Sequence, residues 1–350
     1  MPSVELSHKE FVLRFHRRHE DPAFRQVAGP LAEVAEVAWK NYIEYHKSPN
    51  TRVAGKAFAE PRQQLPVEWL ATRKRVLEAA QAQRRRGGPA RILVINGSAR
   101  SDQTCPGEAS KTWRLAKIAQ RTIEAAPRCE VDFLDLSLLN SEYGRVIYPC
   151  KACVSTAQPL CHWPCSCYPN HAMGQTQDWM NEIYPRWVAA HGVMILAPVN
   201  WFHVPSVLKL MIDRLVCADG GNPDPTTTHG KNPQLAKALE LKGWDYPKHL
   251  AGRAFAVAVH GDAEGVANVR TALCDWLTTL GLVRAGESGA LARYLGYFEP
   301  YATSHDALDR DEALQEEVRN AARSLVNTVK QLRAGKLHQP DAGLRPPREK

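Results

Sequence analysis

The sequence predicts a doubly wound α/β domain built on a five-stranded parallel sheet. Short apolar, mostly β-branched runs such as Ile92-Leu93-Val94-Ile95 read as strands buried on both faces. They alternate with amphipathic helical patterns, the signature of βαβ units. The alternation begins after Arg84-Arg85-Arg86-Gly87-Gly88-Pro89, a charge run followed by breakers that reads as a linker.

Taken in order, residues 92–95 form the first strand, which ends at Asn96-Gly97-Ser98. A polar loop over 99–109 leads to a helix over 110–126, with Leu115, Ile118, Ala119, Thr122 and Ile123 on one face. Residues 131–136 are the second strand. A helix over 179–190 feeds the third strand, 192–199. Residues 205–216 are amphipathic through Val207, Leu208, Leu210, Met211 and Leu215. Residues 217–252 are rich in Gly, Pro and polar side chains and read as an insertion. The fourth strand spans 254–259, a helix spans 266–280, and 282–285 is a short edge strand. Leu314, Val318, Ala321, Leu325, Val329 and Leu332 mark a last helix. The domain thus runs over 89–335, and residues 336–350 read as a disordered, Pro-rich basic tail. Residues 1–88 read as a helical N-terminal extension. Leu31, Val34, Ala38, Tyr42 and Tyr45 recur at helical spacing, as do Trp69, Leu70, Val76, Leu77 and Ala80, with 48–66 as a connection.

Of the 350 residues, 44% are hydrophobic and 23% charged, which excludes a mainly disordered or collagen-like chain. No run approaches eighteen apolar residues, so no membrane partner is expected. The net charge of +8 is modest, and part of it lies in the linker and the tail. No basic face interleaved with aromatics appears, so no nucleic-acid partner is expected. Residues 1–10 lack a basic stretch followed by an apolar one, so a cytoplasmic protein with reduced thiols is expected.

In doubly wound sheets ligands bind beyond the carboxyl ends of the strands. That directs attention to the loops after Ile95, Ala197 and Val259. The first carries the hydroxyls of Ser98, Ser101, Thr104, Ser110 and Thr112, the guanidinium of Arg100, and a helix N-terminus that favours anions. It reads either as a phosphate cradle or as an ordinary loop with Ser110 as helix cap. The nucleotide pattern G-x-x-x-x-G-K-[ST] fails, because Ser110 precedes Lys111, and G-x-G-x-x-G is absent. A phosphate monoester held by neutral donors and one arginine fits, and the 5′-phosphate of FMN is such a group.

Three segments together resemble the NADPH-dependent FMN reductase family of flavodoxin-like proteins, to which the iron–sulfur flavoproteins are related. They are Gly97-Ser98-Ala99-Arg100, Pro198-Val199-Asn200-Trp201, and Leu208-Lys209-Leu210-Met211-Ile212-Asp213-Arg214. Ala197 stands where the family often has Ser, and Asn200-Trp201 flank its usual Tyr position. The resemblance covers about 90–290. It implies strand order 2-1-3-4-5, FMN as cofactor, NAD(P)H as co-substrate and a homo-oligomer. It also implies that Pro198, Val199, Asn200, Trp201 and Phe202 contact the flavin, with Trp201 or Phe202 walling the ring. His260, Gly261 and Asp262 would approach from the other side, or form a plain turn. Asp213 and Arg214 would fix the helix or an interface. Hydride passes from nicotinamide to flavin with no protein acid or base required, so no catalytic side chain is nominated.

Residues 148–171 are Cys-rich, with Cys150, Cys153, Cys161, Cys165 and Cys167 spaced C-x2-C-x7-C-x3-C-x-C and His162 and His171 nearby. The sulfurs suit a [4Fe–4S] cluster or zinc, thiols without metal, or a redox disulfide at Cys150–Cys153. Iron–sulfur flavoproteins carry a tighter motif at about this place. Cys105, Cys129, Cys217 and Cys274 lie apart. The leading reading is an FMN-dependent oxidoreductase taking hydride from NAD(P)H and passing electrons to a small acceptor (quinone, flavin or nitro compound). The alternatives are an iron–sulfur flavoprotein serving a protein partner, and a non-redox phosphate-binding module with structural zinc.

Overall fold

The computed structural model describes residues 5–101, 110–262, 264–296, 298–300 and 303–337. Thr104, Cys105 and the tail beyond 337 lie outside the described residues. Helices α1 (His8–Arg17) and α2 (Ala28–Ile43) pack through Phe11, Trp39 and Tyr42, whose rings lie 5.1–5.6 Å apart. Ala35 and Tyr42 are the buried side chains of α2, whereas Val34 and Tyr45 are exposed, so the expected apolar face is only partly covered. Within 48–66, expected to be a plain connection, β1 (Thr51–Val53) pairs antiparallel with β2 (Gln64–Pro66). Strands of three residues are too short for a periodicity to register. Helix α3 (Val67–Arg84) buries Trp69, Leu70 and Val76 but exposes Leu77. Its Trp69 Nε1–H donates to the Pro164 carbonyl at 3.0 Å, tying the helix to the Cys-rich loop.

The main domain then runs β3 (Ala90–Asn96), α4 (Lys111–Glu124), β4 (Cys129–Asp135), α5 (Leu138–Ser141), α6 (Met180–Ala189), β5 (Gly192–Pro198) and α7 (Ser206–Arg214). It continues α8 (Pro233–Leu241), β6 (Ala254–Gly261), α9 (Val266–Thr279), β7 (Val283–Arg284), β8 (Ala290–Tyr294), α10 (Ser304–Arg310) and α11 (Glu312–Arg333). Helix α8 lies within the expected insertion, and α10 was not anticipated.

The strands form one parallel sheet in the order β4-β3-β5-β6-β7, with β8 also on β6. Among the described residues the sheet therefore has six strands, not five. β7 pairs with Ala254 and Phe255 at the start of β6, and β8 pairs with Val257–Gly261 at its end. A kink between them, with Gly286 at φ 64°, interrupts the edge. Side chains two apart along a strand share a face. Leu93, Ile95, Val193, Ile195, Phe255 and Val257 face α6, α7 and α9. Ile92, Val94, Met194, Leu196 and Ala256 face α4 and α11. Burial on both faces explains why these strands are continuous apolar runs rather than alternating ones. Among the described residues, no helix is long and apolar enough to cross a membrane.

Candidate active site

The carboxyl ends of β3, β5 and β6 open together on one edge of the sheet. At the end of β3, Asn96 organises the turn. Its Nδ2 donates to Asp135 Oδ1 at 2.8 Å and to the Arg100 carbonyl at 3.3 Å, and its Oδ1 accepts from the Ser98 N–H. Ser98 Oγ in turn accepts from the Arg100 N–H at 3.1 Å. The turn runs close to β5: a Cβ on Gly97 would sit 2.9 Å from Leu208 and 3.0 Å from the Leu196 carbonyl. Ser110 caps α4 by accepting from the Trp113 N–H at 3.3 Å. Capping and cradle lining thus coexist at Ser110.

A cavity of about 220 Å³ lies between these strand ends. Ser98, Arg100, Ser110 and Thr112 line it from the first loop. Pro198, Val199 and Asn200 line it from the second, and His260, Gly261 and Asp262 from the third. Lys111 and Ser304 also line it, and the sequence reading did not single them out for this. The ammonium of Lys111 lies 3.9 Å from Asp262 Oδ2 and 3.4 Å from the Leu295 carbonyl. Burial lowers its pKa, and Asp262 partly offsets this. The only sequence signal for Lys111 was its place at the first position of α4, beside the cap. Ser304 comes from a distant helix and carried none.

His260 is buried in the cavity wall, and its Nε2 shares a 2.8 Å hydrogen bond with Thr112 Oγ1. Burial, then the nearby Lys111, pushes its pKa down to about 3, so the ring is neutral at physiological pH. Among the described residues its buried Nδ1 has no hydrogen-bond partner. Such an atom at a strand end calls for a ligand or water.

Trp201 and Phe202 stand apart from the cavity lining. They occupy the centre of a tight turn in which Asn200 and His203 exchange both backbone hydrogen bonds, 2.9 and 3.0 Å. Their φ values are 46° and 66°, a left-handed pair normally given to Asn-Gly. Bulky residues held there store strain, which clusters at functional sites. The side chains are 92% and 56% exposed, so neither is part of the core. The turn is backed by Gly265, at φ 110°, where a Cβ would lie 3.0 Å from Phe202 Cα.

Arg214 is enclosed rather than at an open surface. It donates to Asp178 at 2.6 and 3.2 Å and to the Tyr148 carbonyl at 3.0 Å, and it lies over the Tyr168 ring at 4.6 Å. It thereby locks α7 to the Cys-rich loop. Asp213 instead pairs with Lys209 on the surface.

The metal assignment to Cys150, Cys153, Cys161, Cys165 and Cys167 finds no support in the structure. Among the described residues, no three Cys, His, Asp or Glu side chains converge so as to hold a metal ion. His162 instead bonds Ser166 and Thr228, and His171 bonds Glu68. The loop folds against the insertion: Trp163 N–H donates to the Asn222 carbonyl, and Asn222 N–H to that of Cys161. The fold thus uses this segment's backbone and histidines to hold itself together. The sulfurs of Cys153 and Cys167 do meet, at 3.6 Å. The hydrogen bond from Cys167 and the charge of Lys231 bring the Cys153 pKa down to about 6 against its burial. Burial raises that of Cys161, and the Cys167 hydrogen bond followed by burial raises that of Cys165.

The sequence profile of the NADPH-dependent FMN reductases matches residues 90–294, more than half of the chain. The chain belongs to the NADPH-dependent FMN reductase family. It is accordingly an NAD(P)H-dependent flavin oxidoreductase, and the matched span holds β3 to β8 and every residue lining the strand-end cavity except Ser304. That removes the non-redox phosphate-binding module. No curated protein matches the chain by sequence. Solved structures similar to it include RosB with a bound 8-demethyl-8-formylriboflavin-5′-phosphate intermediate, at 14% identity and TM-score 0.48, covering 71% of this chain and 82% of that one. FerB, a flavoenzyme NAD(P)H:(acceptor) oxidoreductase from Paracoccus denitrificans, is similar at 16% identity and TM-score 0.36, covering 68% and 98%. An azoreductase from Bacillus anthracis is similar at 15% identity and TM-score 0.36, covering 67% and 98%.

Proposed function

We propose that the strand-end cavity binds the 5′-phosphate of FMN, and that the enzyme takes hydride from NAD(P)H and passes electrons to a small acceptor such as a quinone, a free flavin or a nitro compound. The observation that carries this reading is the meeting of Lys111, Arg100, Ser98 and Thr112 at the N-terminus of α4. Two cations, hydroxyl donors and the positive end of a helix match a phosphate monoester dianion. The partnerless Nδ1 of His260 in the same wall fits a ligand that completes its hydrogen bonding.

Bound FMN supplies a ring that accepts hydride and hands on electrons one or two at a time. The protein's part is position and electrostatics. Lys111 and Arg100 neutralise the phosphate, with Asp262 holding the Lys111 ammonium in place. Thr112 and neutral His260 form a fixed, buried pair that orients the hydroxyl on the cavity floor. Backbone groups of Pro198 to Asn200 edge the ring site. Trp201 and Phe202 offer flat apolar surface that would cover one ring face and exclude water, which explains why a strained turn presents them outward. A homo-oligomer is part of the same proposal, because such exposed aromatics are also suited to a second copy.

The test is anaerobic. FMN-reconstituted protein mixed with NADPH or NADH should lose its flavin absorbance and regain it when a quinone is added. Protein that binds FMN yet is not bleached by either nucleotide would overturn the proposed donor.

A further inference from the structure

We propose that Cys153 and Cys167 form a dithiol–disulfide couple in which Cys153 is the attacking thiol and Cys167 the resolving one. Three geometric observations support it. The two sulfurs lie 3.6 Å apart, in direct contact, although fourteen residues separate them in sequence. The Lys231 ammonium lies 3.3 Å from Cys153 Sγ and is anchored by the Leu160 carbonyl at 3.1 Å. Lys47 is fixed on the Ser166 carbonyl, next to Cys167. Two largely buried lysines therefore face this thiol pair and the neighbouring Cys161 and Cys165, and among the described residues no carboxylate hydrogen-bonds or pairs with either ammonium. A cation held against a sulfur favours the thiolate, which is the form that attacks a disulfide.

Exposure separates the roles. Cys153 is half-buried and can meet a small oxidant, whereas Cys167 is enclosed. Cys165 also adjoins Cys167, since its Sγ accepts from the Cys167 N–H at 3.5 Å, but it too is enclosed. Cys150 sits outside the pair, with its sulfur accepting from the Ala152 N–H. The Cys150–Cys153 pairing weighed from the spacing is therefore replaced by a pairing made by the fold. A disulfide needs an S–S distance of about 2.05 Å, so closure requires a side-chain rotation in addition to the existing contact.

The reaction balances with a small-molecule disulfide as oxidant. The Cys153 thiolate attacks one of its sulfurs, forms a mixed disulfide and expels a thiolate. That thiolate takes the Cys167 proton. The Cys167 sulfur then attacks Cys153 Sγ, closes the internal disulfide and releases the second small thiolate, which takes up the proton first lost from Cys153. The protein dithiol loses two electrons, and the oxidant becomes two thiols. This couple is independent of flavin and of the proposed electron acceptor.

The experiment is thiol mapping on the full chain. Protein is incubated with oxidised glutathione, quenched in acid, denatured, alkylated and digested, with zinc and iron measured on the same sample. The expected product is a peptide pair joined through Cys153 and Cys167, with Cys150, Cys161 and Cys165 alkylated. Cys167→Ser should accumulate glutathione on Cys153, because the resolving thiol is gone. Lys231→Met should slow the first step about five- to tenfold at pH 7. A link between other cysteines, no link at all, or thiols protected by stoichiometric metal would overturn the proposal. An unchanged rate in Lys231→Met would overturn the role given to the lysine. The wild-type map decides the pairing even if a variant fails to fold.

Discussion

Replacing Asp178 with alanine would leave Arg214 charged, enclosed and without its carboxylate. Both side chains are essentially fully buried, at 1% and 0% exposure, and two hydrogen bonds of 2.6 and 3.2 Å join them. Removing one partner of such a pair costs about 3–5 kcal/mol, chiefly because the other charge is stranded. Arg214 would keep the Tyr148 carbonyl and the Tyr168 ring, which places the expected loss near the lower end, about 3 kcal/mol. An unfolding entropy of about 2.1 cal/mol/K per residue, over a chain of this length, converts that to a fall in Tm of roughly 4 °C. Urea unfolding followed by fluorescence should show a lower midpoint with an unchanged slope. The double variant Asp178→Ala/Arg214→Met should recover more than half of the loss, since no charge is then left unpaired. A single variant within about 1 kcal/mol of the parent would refute the reasoning, because it would mean that Arg214 finds water or another anion.

Other consequences can be checked directly. His260 has a folded pKa of about 3 against an unfolded value near 6.5, so its contribution to stability is complete above pH 6.5 and is lost as pH falls from there toward 3. The loss is about 2 kcal/mol at pH 5, and His260→Gln should remove that part of the acid sensitivity in pH-dependent urea unfolding. Lys111→Met should weaken FMN binding by roughly tenfold or more in a fluorescence-quenching titration, the loss of one charge-assisted contact. Gly265→Ala should lower stability by at least about 1 kcal/mol in the same urea assay, because a Cβ at φ 110° meets Phe202 Cα.

Much of the fold was legible because burial on both sheet faces writes itself into the chain as short apolar runs. Residues 92–95 and 192–199 cannot easily be read as anything else. The small ribbon β1–β2 and the strand β8 were not legible, since three to five residues beside breakers carry no period. The strand-end loops announced the cavity, because ligands gather where parallel strands end. Lys111 was passed over because it failed a nucleotide motif, yet the same cap that spoils the motif sets the lysine into the cavity. The cysteines show how little spacing alone decides. Their spacing in sequence suggested shared ligation, whereas the fold gathers Cys153, Cys161, Cys165 and Cys167 beside Lys231 and brings Cys153 into contact with Cys167. Arg214 was rightly read as a fixing residue, but its partner Asp178 lies thirty-six residues away, and no local signal names it.

The central claim is that the cavity among Ser98, Lys111, Thr112 and His260 recognises the phosphate of FMN. Equilibrium binding of FMN and of riboflavin, which lacks only that phosphate, to the same apoprotein tests it most directly. The account predicts that FMN binds at least a hundredfold more tightly, about 3 kcal/mol, and that Ser98→Ala/Arg100→Ala brings the two ligands close together. Equal affinity for both ligands, or a preference that survives the double variant, would contradict it.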